Sequence, residues 1–265
     1  MSNLFDLSGR VAVVSGAARG LGRAMATALA DAGADLLLVD RNGVGAEETA
    51  NTLTKLGRRA VAVACDVSEP AQVRALFAEL DRAFGRIDFL GNVAGDGHLG
   101  KPEDIPLEDV EKTWRNLVLG RFCACQEAGR RMLKAGKGSI VNIGSLASIT
   151  AMGRGHVAYS MAMGAVAQMT RELSTEWSSR GVRVNAILPA QVVNPGLEAR
   201  MASDPNLRAK FLSGIPTGRL GDPSDIRGLA VFLASDASAW ITGALIPMDG
   251  GNLAMNAGGT IGGAS

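Results

Sequence analysis

Short apolar runs alternate with longer amphipathic stretches along nearly the whole chain, and this alternation constrains the fold more than any other feature of the sequence. Most of the runs are continuous stretches of Val, Ile, Leu and Ala, which is typical of strands covered on both faces. Strands that alternate with helices favour an α/β fold, with helices on both faces of one doubly wound, parallel, seven-stranded sheet. The predicted strands span residues 11–15, 35–39, 60–65, 87–91, 139–143, 182–188 and 244–248.

Helical patterns fill the gaps between these runs, and no change in composition marks a domain boundary. We therefore predict a single domain over residues 1–251, followed by a glycine-rich tail over residues 252–265. Residues 190–222 lack clear periodicity and contain three prolines, so we interpret them as a lid that decides substrate choice. The predicted helices span residues 21–31, 45–56, 71–84, 107–134, 158–179 and 223–234.

Charge and composition exclude several classes of partner. The 265 residues include 27 basic and 26 acidic side chains, interspersed, so there is no electrostatic footprint for nucleic acid. No apolar run is long enough to span a membrane, and the first ten residues lack the pattern of a signal peptide, which favours a cytoplasmic protein. Three cysteines fit neither a disulfide framework nor a metal site, and we interpret them as core residues: Cys65, Cys123 and Cys125.

A glycine-rich turn joins the first predicted strand to the first predicted helix. Residues 15–22 read Ser-Gly-Ala-Ala-Arg-Gly-Leu-Gly, so that Gly16, Gly20 and Gly22 are spaced G-x-x-x-G-x-G. Residues without Cβ let the backbone approach a pyrophosphate, and the helix N-terminus offers unpaired N–H groups and the positive end of its dipole. The plain alternative is a tight strand-to-helix turn without a ligand.

Asp40 favours a dinucleotide as that ligand, because it ends the second predicted strand about 20 residues after the glycines. A carboxylate there can accept hydrogen bonds from the adenosine ribose hydroxyls and repel a 2′-phosphate, so NAD is expected rather than NADP. Arg19 and Arg41 argue weakly for NADP, because a guanidinium can pair with that phosphate. Both arginines could equally form surface charge pairs.

The chain resembles the short-chain dehydrogenase/reductase family along essentially its whole length. Seven motifs occur in the family's order: the glycine turn, Asp66-Val67, Asn92-Val93-Ala94-Gly95, residues 138–145, Tyr159, residues 183–189, and Gly243 with residues 249–251. The resemblance implies a Rossmann-like domain, often a tetramer, that transfers hydride between a nicotinamide and a carbonyl or secondary alcohol. The cofactor-binding residues that it implies are Gly16, Arg19, Gly20, Leu21, Gly22, Asp40, Arg41, Asp66, Val67, Asn92, Ala94, Gly95, Tyr159, Met163, Pro189 and Val192.

Ser145 and Tyr159 match the family's catalytic pair. Hydride transfer to a ketone leaves an alkoxide, which needs a general acid and a hydrogen-bond donor. The resemblance implies that Tyr159 is the acid and that Ser145 holds the substrate oxygen. Tyr159 is also the only tyrosine in the chain. The alternatives are a turn cap for Ser145 and a packing or interface role for Tyr159.

The chain departs from the family pattern at two positions of one proton relay. Family members carry a lysine four residues after the tyrosine, which lowers the phenol pKa and binds the nicotinamide ribose, and here Met163 occupies that position. They also carry a helical asparagine that holds a water linked to the lysine. Leu117 occupies the corresponding position here, and Asn116 precedes it by one residue, which is about 100° of rotation on a helix.

Further polar residues could bear on the site. Asn194 stands where the family has a hydroxyl that contacts the carboxamide. His156 precedes Tyr159 by three residues and His98 follows the Asn92–Gly95 turn, so either could relay a proton or be an exposed loop residue. Arg154 could meet an acidic substrate group or be solvated.

Two functional hypotheses stay open at this point. The first is an NAD-dependent oxidoreductase for a small or medium ketone and its secondary alcohol, with Tyr159 as acid/base. The second is a catalytically impaired nucleotide-binding protein that acts as a sensor or oligomer partner. We expect a homo-oligomer, either a tetramer or a dimer, because residues 107–134 and 158–179 carry apolar positions around much of the helix circumference.

Overall fold

A computed structural model describes residues 4–255, and its centre is a seven-stranded parallel sheet. The strands are β1 (Val11–Ser15), β2 (Asp35–Asp40), β3 (Ala60–Ala64), β4 (Phe89–Asn92), β5 (Gly138–Ile143), β6 (Val182–Pro189) and β7 (Leu245–Met248). They are ordered β3-β2-β1-β4-β5-β6-β7. The predicted α/β fold with one doubly wound sheet is confirmed, and every predicted strand end lies within two residues of the observed one.

Helices connect the strands and cover both faces of the sheet. One core cluster joins the sheet to α1 and α9, and a second joins its other face to α3 and α5, so that Val14 and Val13 of β1 pack on opposite sides. This two-sided burial explains the continuous apolar runs of the central strands. The helices are α1 (Gly20–Asp31), α2 (Gly43–Lys55), α3 (Pro70–Ala83), α4 (Leu107–Trp114), α5 (Gly120–Ala135), α6 (Val157–Trp177), α7 (Pro195–Ser203), α8 (Leu207–Leu212) and α9 (Arg227–Ala234).

The helix predicted over residues 107–134 is divided by a π-helical turn. This turn, Arg115–Leu119, lies between α4 and α5 and shifts the register of one helix relative to the other, because a π turn holds one residue more than an α turn. Residues 190–222, predicted as a lid, contain α7 and α8. Apolar side chains of these two helices and of the following loop form a separate cluster: Leu197, Leu207, Phe211, Ile215 and Leu220.

The strand order places a crevice at the carboxyl ends of β1 and β4. The chain proceeds from β1 outwards to β3 and then returns to the other side of β1, so the connections leave these two neighbouring strands in opposite directions. Ligands of open α/β sheets bind at such a switch point. The glycine turn follows β1, and the Asn92–Gly95 motif begins at the end of β4, so the fold brings these two predicted motifs to one edge.

The structure bears on several other predictions that were made from composition. The three cysteines are buried free thiols, as predicted. None of the helices in the described range has the length and hydrophobicity needed to cross a bilayer. Between residues 4 and 255, no three His, Cys, Asp or Glu side chains are grouped closely enough to hold a metal ion. Most of the predicted glycine-rich tail, residues 256–265, lies outside the described residues.

Candidate functional site

The glycine turn is packed so tightly that Gly22 has no room for a side chain. A Cβ at Gly22 would lie 2.1 Å from the carbonyl oxygen of Gly16, and Gly16 itself has a positive φ of 71°. Arg19, at the N-cap of α1, makes no side-chain capping hydrogen bond. The first N–H groups of α1 therefore face the crevice with no side-chain cap from Arg19, which suits an anionic group such as a pyrophosphate.

Asp40 lies beside this turn at the end of β2. Its Oδ2 accepts a hydrogen bond from the Ala18 amide at 3.0 Å, and its Oδ1 accepts one from the Asn42 amide at 2.9 Å. Each carboxylate oxygen can accept more than one hydrogen bond, so capacity remains for ribose hydroxyls. The neighbouring Arg41 is exposed, whereas Asp40 is half-buried. The Asp40 carboxylate is thus bonded directly to the backbone of the glycine turn.

Asp66 and Val67 follow β3 at the carboxyl edge of the sheet. Asp66 Oδ1 accepts hydrogen bonds from the Ser68 hydroxyl at 2.7 Å and the Ser68 amide at 2.9 Å, and these bonds hold the pKa of the Asp66 carboxyl below its usual value. A Cβ at Gly120 would lie 2.0 Å from the Val67 carbonyl oxygen. The backbone at the start of α5 is therefore packed directly on this loop.

Asn92 sends its side chain into the core, away from any cofactor. Its Nδ2 donates to Asn142 Oδ1 at 3.0 Å and to Cys125 Sγ at 3.2 Å, and the Asn92 residue is 3% exposed. Only its backbone could contact a cofactor. The loop that follows is tied to β1 instead, because Ser15 Oγ accepts hydrogen bonds from the amides of Val93 and Ala94 at 3.0 and 3.1 Å.

Ser145 follows β5 and caps the short 3₁₀ turn Leu146–Ser148. Its Oγ accepts a hydrogen bond from the Ala147 amide at 3.2 Å, and its own amide donates to Ser148 Oγ at 3.2 Å. The cap uses the Ser145 hydroxyl only as an acceptor, so the hydrogen of this hydroxyl is available to another acceptor. The turn-cap alternative is therefore realised, and it is compatible with holding a substrate oxygen.

Tyr159 lies in the first turn of α6, with its ring against the loop after β4. A Cβ at Gly97 would lie 3.0 Å from Tyr159 Cδ2 and 3.3 Å from Leu117 Cδ1. The ring packs on a small apolar cluster that also contains Ala147, two residues after Ser145. The fold therefore brings the Ser145 turn and Tyr159 together at the carboxyl edge of the sheet.

Met163 and Leu117 are buried in that same cluster. Each is 1% exposed, and they pack with Ala162 and Val166 in the cluster against which Tyr159 packs. Neither side chain carries a charge or a hydrogen-bond donor. The part of the surroundings of Tyr159 that α6 and the π turn supply is therefore apolar.

Asn116 makes a contact with the loop after β4. The resemblance implies a water-holding asparagine at the next position, which is Leu117. Asn116 Oδ1 accepts a hydrogen bond from the Asp96 amide at 3.1 Å, which fixes the loop between β4 and α4. A Cβ at Gly95 would lie 3.2 Å from the same oxygen. The π turn thus places Asn116 on the loop and Leu117 in the cluster against which Tyr159 packs.

Arg121 is a residue of the site that the sequence motifs missed. Arg121 is 4% exposed. Its Nη1 donates a hydrogen bond to the Ile143 carbonyl, and its Nη2 donates one to the Ala94 carbonyl at 3.3 Å. Both carbonyls lie at the carboxyl edge of the sheet, next to predicted site residues. The signal in the sequence was an arginine at a helical apolar position, four residues after Leu117 and four before Cys125.

The segment after β6 forms the far wall of the site. Pro189 ends β6, and Val192 is buried and paired with Gly221 through an isolated bridge. Asn194, predicted near a carboxamide, caps α7 instead: its Oδ1 accepts from the Leu197 amide at 3.0 Å. Its side chain therefore holds the start of α7 in place.

The two histidines and Arg154 have protein partners at the mouth of the site. His98 Nδ1 lies 3.3 Å from Thr113 Oγ1, whereas His156 Nδ1 lies 2.7 Å from the Gly153 carbonyl oxygen, and so carries its ring proton there. The His156 and Tyr159 ring centroids are 6.2 Å apart. Arg154 is exposed and lies over the Phe211 ring of α8, with its Cζ 5.3 Å from the centroid.

The chain is similar to known proteins along nearly its whole length. A sequence profile of the family described as Enoyl-(Acyl carrier protein) reductase matches residues 16–252. The chain is 42% identical over 248 residues to a D-threitol dehydrogenase from Mycolicibacterium smegmatis, covering 93% of this chain and 94% of that protein. It is 36% identical over 248 residues to an NAD-dependent glycerol dehydrogenase from Listeria innocua, covering 93% and 95%.

A solved structure shares the fold over nearly its whole length. It is a putative NAD(P)-dependent gluconate 5-dehydrogenase from Beutenbergia cavernae with bound NADP, with a TM-score of 0.89 and 36% identity, covering 95% of this chain and 100% of that one. All three proteins are described as dehydrogenases of hydroxylated compounds. They lend no support to the alternative of an impaired sensor.

Proposed function

Because this chain belongs to the short-chain dehydrogenase/reductase family, we propose that it oxidises a secondary hydroxyl of a small polyol and reduces the corresponding ketone, with Tyr159 as the acid/base residue. Its being an oxidoreductase that uses NAD or NADP follows from the family and its relatives. The polyol class is supported by the D-threitol and glycerol dehydrogenases, of which this chain matches more than nine-tenths.

One observation carries the proposal: Tyr159 and the turn capped by Ser145 pack around one cluster at the carboxyl edge of the sheet. The glycine turn reaches the same edge, since Ser15 binds the amides of the loop that precedes Gly97. A reacting carbon bound here would lie between an acid/base side chain and a nucleotide-binding turn, which is the arrangement that hydride transfer requires.

The residues of the chain divide the work between them. The nicotinamide, when bound, accepts or supplies the hydride. During oxidation of the alcohol Tyr159 takes the hydroxyl proton, and during reduction of the ketone it returns that proton to the oxygen. The free hydroxyl hydrogen of Ser145 holds the substrate oxygen. The uncapped N–H groups of α1 would bind the pyrophosphate, and the absence of a side chain at Gly22 lets the turn pack closely enough to present them.

We assign NAD as the preferred cofactor over NADP because of Asp40. A 2′-phosphate would have to approach a half-buried carboxylate that the Ala18 and Asn42 amides hold in place. Arg41, which could pair with that phosphate, is exposed and free to swing away. The Listeria relative is described as NAD-dependent, whereas the Beutenbergia structure contains NADP.

We further propose that Met163 and Leu117 occupy the positions of the family's catalytic lysine and asparagine. Met163 lies one helical turn after Tyr159, and the side chains of Met163 and Leu117 belong to the apolar cluster against which Tyr159 packs. An apolar cluster cannot bind a relay water, because a buried water needs polar partners. The proton would then leave Tyr159 by another route.

A homo-oligomer in the cytoplasm remains our expectation for the assembled enzyme. Four large apolar side chains along α4, the π turn and α5 are exposed, which suits a self-complementary interface. They are Leu107, Trp114, Leu119 and Phe122.

The test is NADH formation from D-threitol and glycerol by the wild-type protein and by Tyr159→Phe. We expect the wild type to turn over at least one of the two polyols, and the variant to lose activity by about 100-fold or more. NADH binding, followed by its fluorescence, should be unchanged in the variant. Equal activity of the two proteins would refute the role of Tyr159, and inactivity of the wild type on both polyols would refute the substrate class.

A further inference from the structure

The guanidinium of Arg121 is a buried positive charge for which the proposed function gives no role. Its two hydrogen-bonded acceptors, the carbonyls of Ile143 and Ala94, are neutral, and its Nε has no hydrogen-bond partner. No carboxylate of the described chain, residues 4–255, lies within salt-bridge distance of it. A buried charge without a counter-charge is unfavourable, so the position calls for a negative partner that forms in the working enzyme.

Leu117 shows how close this charge is to Tyr159. A Cβ at Gly95 would lie 2.4 Å from Leu117 Cδ2 and 3.1 Å from Arg121 Nη2. The other methyl of the same leucine, Cδ1, faces Gly97 together with the Tyr159 ring. The guanidinium and the phenol ring therefore lie near different methyl groups of a single leucine side chain.

The local electrostatics agree with this placement. Burial lowers the pKa of Arg121 to about 10, while the nearby Tyr159 phenol and Cys125 thiol, as potential anions, act in the opposite direction. Arg121 is thus charged throughout the neutral range. Burial raises the pKa of Cys125 to about 12, so this thiol stays neutral and cannot be the counter-charge.

The other titratable groups near the phenol face elsewhere. His156, at the start of α6, is bound through Nδ1 to the Gly153 carbonyl, and His98 contacts Thr113, with Asp109 4.0 Å from its Nε2. Neither histidine is bonded to Arg121. The phenol of Tyr159, which lies near the same leucine as the guanidinium, is the acidic group that the proposed reaction ionises.

We propose that Arg121 stabilises the ionised form of Tyr159, and so supplies from α5 the positive charge that Met163 cannot supply from α6. This inference rests on the proposed function, in which Tyr159 is the acid/base. Arg121 is a positioning residue that acts through the phenol. During alcohol oxidation the phenolate takes the substrate hydroxyl proton and the hydride leaves the carbon for the nicotinamide. Arg121 remains protonated throughout.

The first experiment needs neither substrate nor cofactor, because the chain contains a single tyrosine. The near-ultraviolet absorbance of phenolate therefore reports Tyr159 alone in a pH titration. We expect the native protein to form phenolate at a lower pH than the same protein unfolded in urea. A native midpoint equal to or above the unfolded one would overturn the proposal without any variant.

Variants then separate the charge of Arg121 from its hydrogen bonds. Arg121→Gln keeps donors but removes the charge, and Arg121→Lys keeps the charge. We expect the titration midpoint of Arg121→Gln to rise by about one pH unit, a tenfold change in the ionisation constant, and that of Arg121→Lys to stay near the wild type. Arg130→Gln, an exposed arginine on the same helix, is the matched control and should not move the midpoint.

Kinetics complete the test with a rescue. The acidic limb of the pH profile of D-threitol oxidation, where activity is lost as Tyr159 becomes protonated, should move to higher pH in Arg121→Gln, with kcat at neutral pH about tenfold lower and KM little changed. Adding Met163→Lys to Arg121→Gln should restore the position of this limb and kcat at neutral pH, because a cation is then present one helical turn after Tyr159. If Arg121→Gln is folded yet titrates and turns over like the wild type, the proposal is overturned.

Failure of this inference is distinguishable from failure of the proposed function. Should the wild type turn over polyols and depend on Tyr159, while the titration midpoint is insensitive to Arg121, only the role of Arg121 is wrong. Should the midpoint depend on Arg121 while no polyol reacts, Arg121 stabilises the phenolate as inferred and the substrate class is wrong.

Discussion

Asp40 Oδ2 accepts a hydrogen bond from the backbone amide of Ala18 at 3.0 Å, which ties the end of β2 to the glycine turn after β1. The same carboxylate that would read the adenosine ribose also holds the shape of the pyrophosphate turn. Cofactor choice and turn geometry are therefore coupled at this residue, and a substitution here affects both.

Asp40→Asn should reduce discrimination between NADH and NADPH. The asparagine side chain is neutral, so it no longer repels a 2′-phosphate. Its nitrogen cannot accept a hydrogen bond, so it also cannot accept from two backbone amides through its two terminal atoms as the carboxylate does. We expect the ratio of the two dissociation constants, measured by cofactor fluorescence, to shift towards NADPH by about tenfold, or ~1.4 kcal/mol. Asp35→Asn, at the opposite end of β2, is the control, and an unchanged ratio in Asp40→Asn would contradict the NAD assignment.

Gly22→Ala should abolish cofactor binding and destabilise the fold. Its Cβ would lie 2.1 Å from the Gly16 carbonyl oxygen, so the turn must open, at a cost of about 1–3 kcal/mol. Gly228→Ala in α9 has open space around the new methyl and should raise stability by about 0.5–1 kcal/mol. Thermal unfolding and NADH titration of the pair measure both effects, and equal melting temperatures would show that the turn can relax.

Met163→Lys alone should lower stability without raising activity. The new ammonium would be buried among Leu117, Ala162 and Val166, with no charged residue in that cluster to pair with it. We expect a loss of about 2–4 kcal/mol in urea unfolding, against less than about 1.5 kcal/mol for Met163→Leu. A large gain in turnover by Met163→Lys would show instead that the wild-type site lacks a working cation.

Phe122→Glu should dissociate the expected oligomer. Phe122 is 43% exposed on α5 and lies near Leu119, which is 48% exposed, and a carboxylate there would oppose a close apolar contact. Sedimentation velocity at micromolar concentration should show a dimer or tetramer for the wild type and a smaller species for the variant. Leu56→Glu, at an exposed leucine on another face, should sediment like the wild type. A monomeric wild type would refute the expectation.

The sheet and much of the crevice were predictable because they depend on local patterns. Two-sided burial makes each central strand an apolar run, and Gly22 is identifiable because only glycine fits its position. The side chain of Asn92 was not predictable, since it turns into the core to meet Asn142, 50 residues away. Arg121 was missed because its partners, Ile143 and Ala94, are backbone carbonyls, which leave no mark in a sequence.

The π turn Arg115–Leu119 makes the site sensitive to chain length as well as to residue identity. Deleting one residue there would convert it to an α turn and rotate α4 by about 100° relative to α5. Because Gly120 is packed on the Val67 carbonyl, α5 would stay in place and α4 would move, carrying Thr113 away from His98. A single-codon deletion would thus displace the loop around His98 while leaving the contact between α5 and the loop after β3 as it is.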